Sequence, residues 1–391
     1  MTFKITLISL LLTNCITFAV AAPYTPTNPN QVLEKLPVNS VTYSEEFRKL
    51  RIALNANPNN IAIAKQLAIL YIERSRTEGD PRYLGYAQAA LKPWWTLNAP
   101  PIDILVLRAT ILQSTHHFDE SLDDLNQVLK LDPNNGQAWI TKATILQVQA
   151  KYKEAYESCK NLYALATPLI TLTCATNIQN LNGQAQKSYE KLKVAYTESG
   201  ETNPSIQVWV LTLLAEMATR LDEINAAEQY FNQAIQIEEP DSYLLGAYSD
   251  FLLDQRRPKE VIKLLKSKTR IDALLLRYTE ALKELHSPVT SKHIELLKQR
   301  FDAAALRGDT VHQREQSRFE LRLMENPNKA LQIAKQNWQT QKESADARIF
   351  LEAAIEAKDK AAIQTIKLWL NTTHLEDTAL IKIMSKNKSS S

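Results

Sequence analysis

The chain has 391 residues, 45% hydrophobic and 23% charged, the balance of a foldable chain rather than a disordered one. It holds only 7 glycines. Tight β-turns and phosphate-cradling loops both consume glycine, so a large β-sandwich and a nucleotide-binding α/β fold are disfavoured. A formal net charge of +3 is too balanced for a nucleic-acid surface.

Residues 1–21 read as a secretory signal. Lys4 supplies the positive start, Ile5 to Leu12 and Ile16 to Val20 the apolar core, and Ala19-Val20-Ala21 the small-x-small cleavage pattern, leaving Ala22 first. The apolar stretch is short and interrupted for a retained span of ~30 Å of hydrocarbon. Asn14 stands where a small residue would precede a lipidated Cys15. No second long apolar run follows, so the expectation is a periplasmic or secreted chain with no integral span after cleavage. Residues 22–42, with Pro23, Pro26, Pro29 and Pro37, read as an extended linker. Cleavage leaves two cysteines, Cys159 and Cys174, and an even pair in an oxidising compartment suggests a disulfide.

The informative signal is internal similarity. Arg108-Ala109-Thr110-Ile111-Leu112-Gln113 recurs 34 residues later as Lys142-Ala143-Thr144-Ile145-Leu146-Gln147, and 32 further on as Cys174-Ala175-Thr176-Asn177-Ile178-Gln179. In the first two copies a break follows and then a second apolar-periodic run, through Leu122, Leu125, Val128 and Leu129 and through Tyr156, Cys159 and Leu162. Apolar positions every three to four residues are the period of a one-sided helix. Asp132-Pro133-Asn134-Asn135 stops the first unit. The pattern runs back to Ala68 and Tyr71, and forward through Leu211, Ala215, Ala227, Phe231 and Pro240, then Leu245, Leu252, Pro258, Val261 and Leu265. Past 270 it weakens: Ile271 to Leu285 and Ile294 to Leu306 suggest one pair, and Ala330, Ala334 and Trp338 with Ala353, Ala354, Ile363 and Leu368 suggest two more.

These units resemble the tetratricopeptide repeat, whose pattern of bulky, small, small and aromatic-or-leucine positions falls here on Trp139, Ala143, Ala155 and Cys159. The unit before it offers Leu105, Ala109, Ser121, Leu125 and the closing Pro133. The small residues let two helices approach closely where they cross. A helix pair cannot bury its apolar face alone, so neighbours must stack. The resemblance implies an all-α right-handed solenoid of about eight to nine helix-turn-helix units, clear over 43–266 and degenerate over 267–380, with a flexible tail at 381–391. It is similar to exported bacterial members of that family. It also implies that helix B carrying Cys159 packs on the helix A carrying Cys174, bringing the two sulfurs face to face.

In that family the positions one and four after the mid-helix alanine face a concave groove. They fall on Thr110 and Gln113, Thr144 and Gln147, and Thr176 and Gln179, with Val106, Ile140 and Leu172 as an apolar strip beside them. Donors and acceptors of this kind suit an extended peptide backbone, or glycan hydroxyls as an alternative. In a further unit the same positions are Glu216 and Thr219, where the groove turns acidic. Inheritance by duplication explains the Thr/Gln identity equally. Trp139 reads as core; Trp94 and Trp95 stay open between core and ligand platform. His116-His117 reads as an exposed turn and the carboxylates as solvated helix faces. No metal, cofactor or catalytic residue is assigned, and no nucleophile with its base can be assembled. The reading is a non-catalytic scaffold for a protein or peptide partner in a cell-envelope complex. The alternative is an enzyme or enzyme-assisting subunit in envelope polysaccharide handling.

Overall fold

The computed structural model describes residues 26–28, 31, 45–309 and 311–389. The signal 1–21, with Cys15, lies outside the described residues, as does nearly all of the 22–42 linker. The described chain is helical throughout, with no strand. After α1 (Glu45–Ala56) come α2 (Ile61–Glu78) with α3 (Arg82–Ala90), then a single turn, α4 (Lys92–Trp95). Antiparallel pairs follow: α5 (Ile102–Ser114) with α6 (Phe118–Leu131), α7 (Gly136–Val148) with α8 (Tyr152–Lys160), and α9 (Pro168–Asn180) with α10 (Ala185–Ser199). Next are α11 (Pro204–Arg220) with α12 (Ile224–Ile237), α13 (Ser242–Asp254) with α14 (Pro258–Leu265), and α15 (Asp272–Glu284) with α16 (Thr290–Leu306). The chain closes with α17 (Gln313–Arg322) and α18 (Pro327–Thr340), α19 (Ser344–Glu356) and α20 (Lys360–Thr373), and α21 (Thr378–Ser389). The helix runs on to Ser389 where the sequence led to the expectation of a flexible tail from 381, and Leu380 at its start is buried.

A local device sets the repeat. The turn from the first helix of a pair (A) to the second (B) passes through one left-handed residue: Gly79, His116, Ala150, Gly183, Asp222, Arg256, His286, Glu325 and Lys358, spaced 30 to 39 residues apart. The next N–H then reaches back to a carbonyl in the last turn of helix A, as His117 N to Leu112 O at 2.9 Å and Lys151 N to Leu146 O at 2.8 Å. This closes carbonyls that the helix end leaves unpaired. Gly183 is needed twice over. Its φ is +75°, and a Cβ there would meet the His374 Cβ at 2.9 Å.

Within pairs the small residues do what crossing requires. Ala109, Ala143 and Ala155 are buried, and Ser121 Oγ in α6 donates to Ala109 O in α5 at 2.7 Å. Cys159 in α8 and Cys174 in α9 are joined by a disulfide with Cα atoms 5.6 Å apart, as the repeat register implied. The equivalent residues of α5 and α7 make polar links instead, Arg108 to Asp124 and Lys142 to Asn126.

The solenoid winds tightly enough for later pairs to land on earlier ones. The Gly79 turn abuts Ser242 and Ile271, and Ser242 Oγ donates to Arg76 O at 3.2 Å. Lys342 N donates to Val148 O at 2.8 Å, Ala185 N to Glu376 Oε2 at 2.8 Å, and Lys382 pairs with Asp222 at 2.8 Å. A single apolar cluster joins Ala143, Leu146, Tyr152 and the disulfide to Leu331, Trp338, Phe350, Ile366 and Leu380. The disulfide therefore sits at the floor on which the last three helix units dock.

Thiol titration of the denatured, unreduced mature chain should find neither Cys159 nor Cys174 free. Reduction should lower the melting point, in keeping with ~3 kcal/mol for a loop of about this length. Ala150→Gly should raise the denaturant midpoint, by about 1 kcal/mol of stability, because alanine carries the left-handed penalty that glycine escapes.

Candidate binding site

The winding leaves a half-open cavity of about 620 Å³, bounded by α5, α7, α9, α11 and α13 on one side and by α15, α17 and α19 on the other. Ser114, Gln147, Asn177, Glu216 and Tyr243 belong to the first wall, and Arg277, Arg314, Arg318, Arg322 and Arg348 to the second. The volume lies in the range of small-molecule sites.

A lattice of arginines and carboxylates stitches this lining together. Asp250 of α13 accepts from Arg277 of α15 and Arg318 of α17, each at 2.6 Å. Arg318 also donates to Glu280 of α15 at 2.7 Å. Arg322, one turn on, reaches Glu352 of α19 at 2.7 Å. Glu352 also accepts from Arg348, and Arg348 returns to Asp254 of α13 at 2.6 Å. The circuit thus runs α13, α15, α17, α19 and back to α13. Burial alone would raise the Asp250 pKa, but the two guanidiniums win and hold it well below the usual carboxylate range. Beside the lattice, Arg314 pairs with Glu343 at 3.1 Å and Asp346 at 3.5 Å. Burial nonetheless pushes Asp346 up to about 6, Arg314 opposing and Glu343 reinforcing the shift.

Of the groove residues expected on α5, α7 and α9, Gln147 alone lines this cavity, where its Oε1 accepts from Asn177 Nδ2 at 2.9 Å. Thr110, Thr144 and Thr176 do not stand at one exposure: Thr176 is wholly buried, Thr110 nearly so, and Thr144 is exposed. Each hydroxyl donates to the carbonyl four residues back, Val106 O at 2.8 Å, Ile140 O at 3.0 Å and Leu172 O at 2.8 Å. That local bond gives threonine a place in a helix without any ligand. Gln113, Gln147 and Gln179 are evenly half-buried, and so are Val106, Ile140 and Leu172. Glu216 and Thr219 both line the cavity. Trp94 and Trp95 are half-buried against the first apolar cluster, and Trp139 is half-buried with Nε1 donating to Pro133 O at 2.9 Å.

Two expectations are corrected. His116 is not a solvated turn residue: it packs on Phe118, lines the cavity and meets Gln341 Nε2 at 2.8 Å, joining two windings of the solenoid. Burial, with Arg314 and His312 adding to it, lowers its pKa to about 4. Among the described residues no cluster of His, Cys, Asp or Glu is arranged to hold a metal. Nor are the carboxylates uniformly solvated, since Asp250, Asp254, Glu280 and Glu352 face inward on arginines. Helix α17 gave no apolar period, yet Arg314, Arg318 and Arg322 at four-residue intervals place three guanidiniums on one helical face. That spacing was the available signal.

Residues 210–241, spanning most of α11 and α12, match the family model described as tetratricopeptide repeat. No curated protein matches the sequence. Solved structures similar to the chain include the yeast Tom70 (13% identity, covering 88% of this chain and 78% of that one, TM-score 0.40). Another is the APC/C hetero-tetramer Cut9-Hcn1 (14% identity, 80% and 67% covered, TM-score 0.32). A third is the P58(IPK) TPR domain (12% identity, 80% and 92% covered, TM-score 0.21). Likenesses of this size say nothing of partner or compartment. The chain is an all-helical, tetratricopeptide-like solenoid. Its α11–α12 unit matches the tetratricopeptide-repeat model by sequence and forms a helix pair.

The His116 site yields a pH prediction. An unfolded histidine titrates near ~6.5, whereas folded His116 titrates at about 4. Its contribution to stability is therefore complete above pH ~6.5 and lost as pH falls toward 4. Glu315 and Asp309 favour the charged form here, but Arg314 and His312 outweigh them. His116→Asn, which tolerates the left-handed turn, should reduce the loss of stability between pH 7 and 4.5 by on the order of 2 kcal/mol. The check is the difference between parallel denaturant titrations of the two chains, because Asp346 titrates in the same window with opposite sign.

Proposed function

We propose that the protein is an exported, non-catalytic scaffold that binds a protein or peptide partner across the first helices of its repeats. What supports the reading is the recurrence at matching positions of α5, α7 and α9 of glutamines 113, 147 and 179 and of apolar Val106, Ile140 and Leu172, all partly exposed. Equivalent groups repeated along stacked helices suit a partner whose own groups repeat, as an extended backbone does. Export rests on Lys4, the interrupted apolar stretch and Ala19-Val20-Ala21. A periplasmic or secreted site accords with the Cys159–Cys174 disulfide. Among the described residues no helix is long and apolar enough to cross a membrane.

Mass spectrometry of the mature chain is expected to find Ala22 first, and an intact Met1 species in the cytoplasm would refute export. A photo-crosslinking side chain at exposed Thr144 identifies the partner in intact cells. With that partner, Thr144→Ala combined with Gln147→Ala should weaken binding by roughly one to two orders of magnitude. Helical circular dichroism should not change. Unaltered affinity would assign the rows to duplication rather than use.

A further inference from the structure

Among the described residues most charges of the cavity wall are paired, and two that are not lie one helical turn apart. Arg277, Arg314, Arg318, Arg322 and Arg348 each have a carboxylate within ion-pair distance. The carboxylates Asp250, Asp254, Glu315, Glu343 and Glu352 are engaged by those same arginines. Asp377 accepts from Ser344 Oγ and caps α21 through Leu380 N. Two ionisable groups of α11 are left. Glu216 forms no ion pair; its Oε1 accepts from Tyr243 Oη of α13 at 2.8 Å. Arg220, one helical turn on, forms none either; its Nε donates to Asn180 Oδ1 of α9 at 2.9 Å. One terminal nitrogen of Arg220 is buried with no hydrogen-bond partner.

Neighbours four apart on a helix face ordinarily pair. Here Asn180 and Tyr243 draw the two side chains toward helices on opposite sides of α11, and an opposite pair of charges is held apart at one wall of the cavity. Leaving a guanidinium nitrogen buried and unbonded costs free energy. A molecule that brings its own carboxylate and its own ammonium can pair with both charges where they line the cavity, and it adds no net charge there. A dianion such as phosphate would add negative charge beside Glu216, Glu343 and Glu315 with a single unpaired cation to receive it. Burial raises the Glu216 pKa, and a bound ammonium would lower it again.

We propose that the cavity binds a small zwitterion of amino-acid or dipeptide size, its carboxylate on Arg220 and its ammonium on Glu216. Gln147 and Asn177, already bonded to one another at the same wall, supply neutral polar groups to the body of the ligand. The site shares Gln147 with the rows on α5, α7 and α9, but it does not rest on the scaffold reading, which the Thr144 crosslink tests independently.

The test is calorimetric titration of the full mature chain with each of the twenty amino acids and glycylglycine. Acetate, ethylammonium and inorganic phosphate serve as single-sign probes. At least one zwitterion should bind with Kd below about 1 mM, with acetate and ethylammonium weaker by about tenfold or more. Glu216→Gln and Arg220→Gln should each weaken that zwitterion by about tenfold or more, with circular dichroism unchanged. Glu216→Gln still offers an acceptor to Tyr243, so it decides the matter alone if Arg220→Gln does not fold. The proposal is overturned if no zwitterion binds, if acetate or phosphate binds as well as the zwitterion, or if Glu216→Gln binds like the parent.

Discussion

The arginine–carboxylate circuit through Asp250, Arg318, Glu280, Arg322, Glu352, Arg348 and Asp254 holds the inner face of the molecule closed. A solenoid of helix pairs has no central core to gather it, since each pair buries its apolar face on its neighbours. The inner ends of α13, α15, α17 and α19 converge, and apolar side chains there would leave nothing to fix their register. Charges in a semi-enclosed space behave differently, because each must find a partner of the right sign and geometry or bear its desolvation. Fork-shaped guanidiniums bridging two carboxylates apiece supply that geometry. Removing one member would strand the rest, so the circuit specifies the arrangement more than it adds stability.

The left-handed residue at each A-to-B turn is the complementary local constraint. It reverses the chain in a few residues and keeps helix B antiparallel to helix A, so each pair is stiff before it meets its neighbour. Seven of these nine turn residues are not glycine. The penalty at each is offset by the carbonyls the turn closes and, for His116, by contacts with Phe118 and Gln341. At Gly183 no side chain fits, because the loop before α21 comes down upon it. Local turn and long-range closure are thus the same feature there.

What could be read in advance follows this division. Helix periodicity, small residues at the crossings and the Cys159–Cys174 register all belong to neighbouring units, and linear sequence carries neighbour relations well. Contacts between windings do not leave such a trace. Nothing in Gln341 points to His116, 225 residues away, or in Glu376 to the backbone of Ala185. The fate of the threonines illustrates the limit at the candidate site. The same pentapeptide, Ala-Thr-Ile-Leu-Gln, places Thr110 and Thr144 at matching helical positions, yet one is buried and the other exposed, because burial depends on what packs beyond the unit. Charge was misread for the same reason. A carboxylate on a helix is solvated by default, and only the return of α17 and α19 brings guanidiniums onto Asp250 and Asp254.

That return also changes how the array behaves as a physical object. Where repeats touch nearest neighbours alone, end units fray without consequence for the rest. Here the last units share an apolar cluster with the repeats around the disulfide and close the charge circuit on α13. Fraying of α19 would expose Phe350 and Leu351, open the cavity to solvent and unpair Asp254 in one event. The loss is coupled, so opening becomes a collective step rather than a gradual peeling from the end. The bond between Cys159 and Cys174 stiffens the surface onto which those units close, and in this way a link between two adjacent helices in the middle of the chain supports a contact made by its far end.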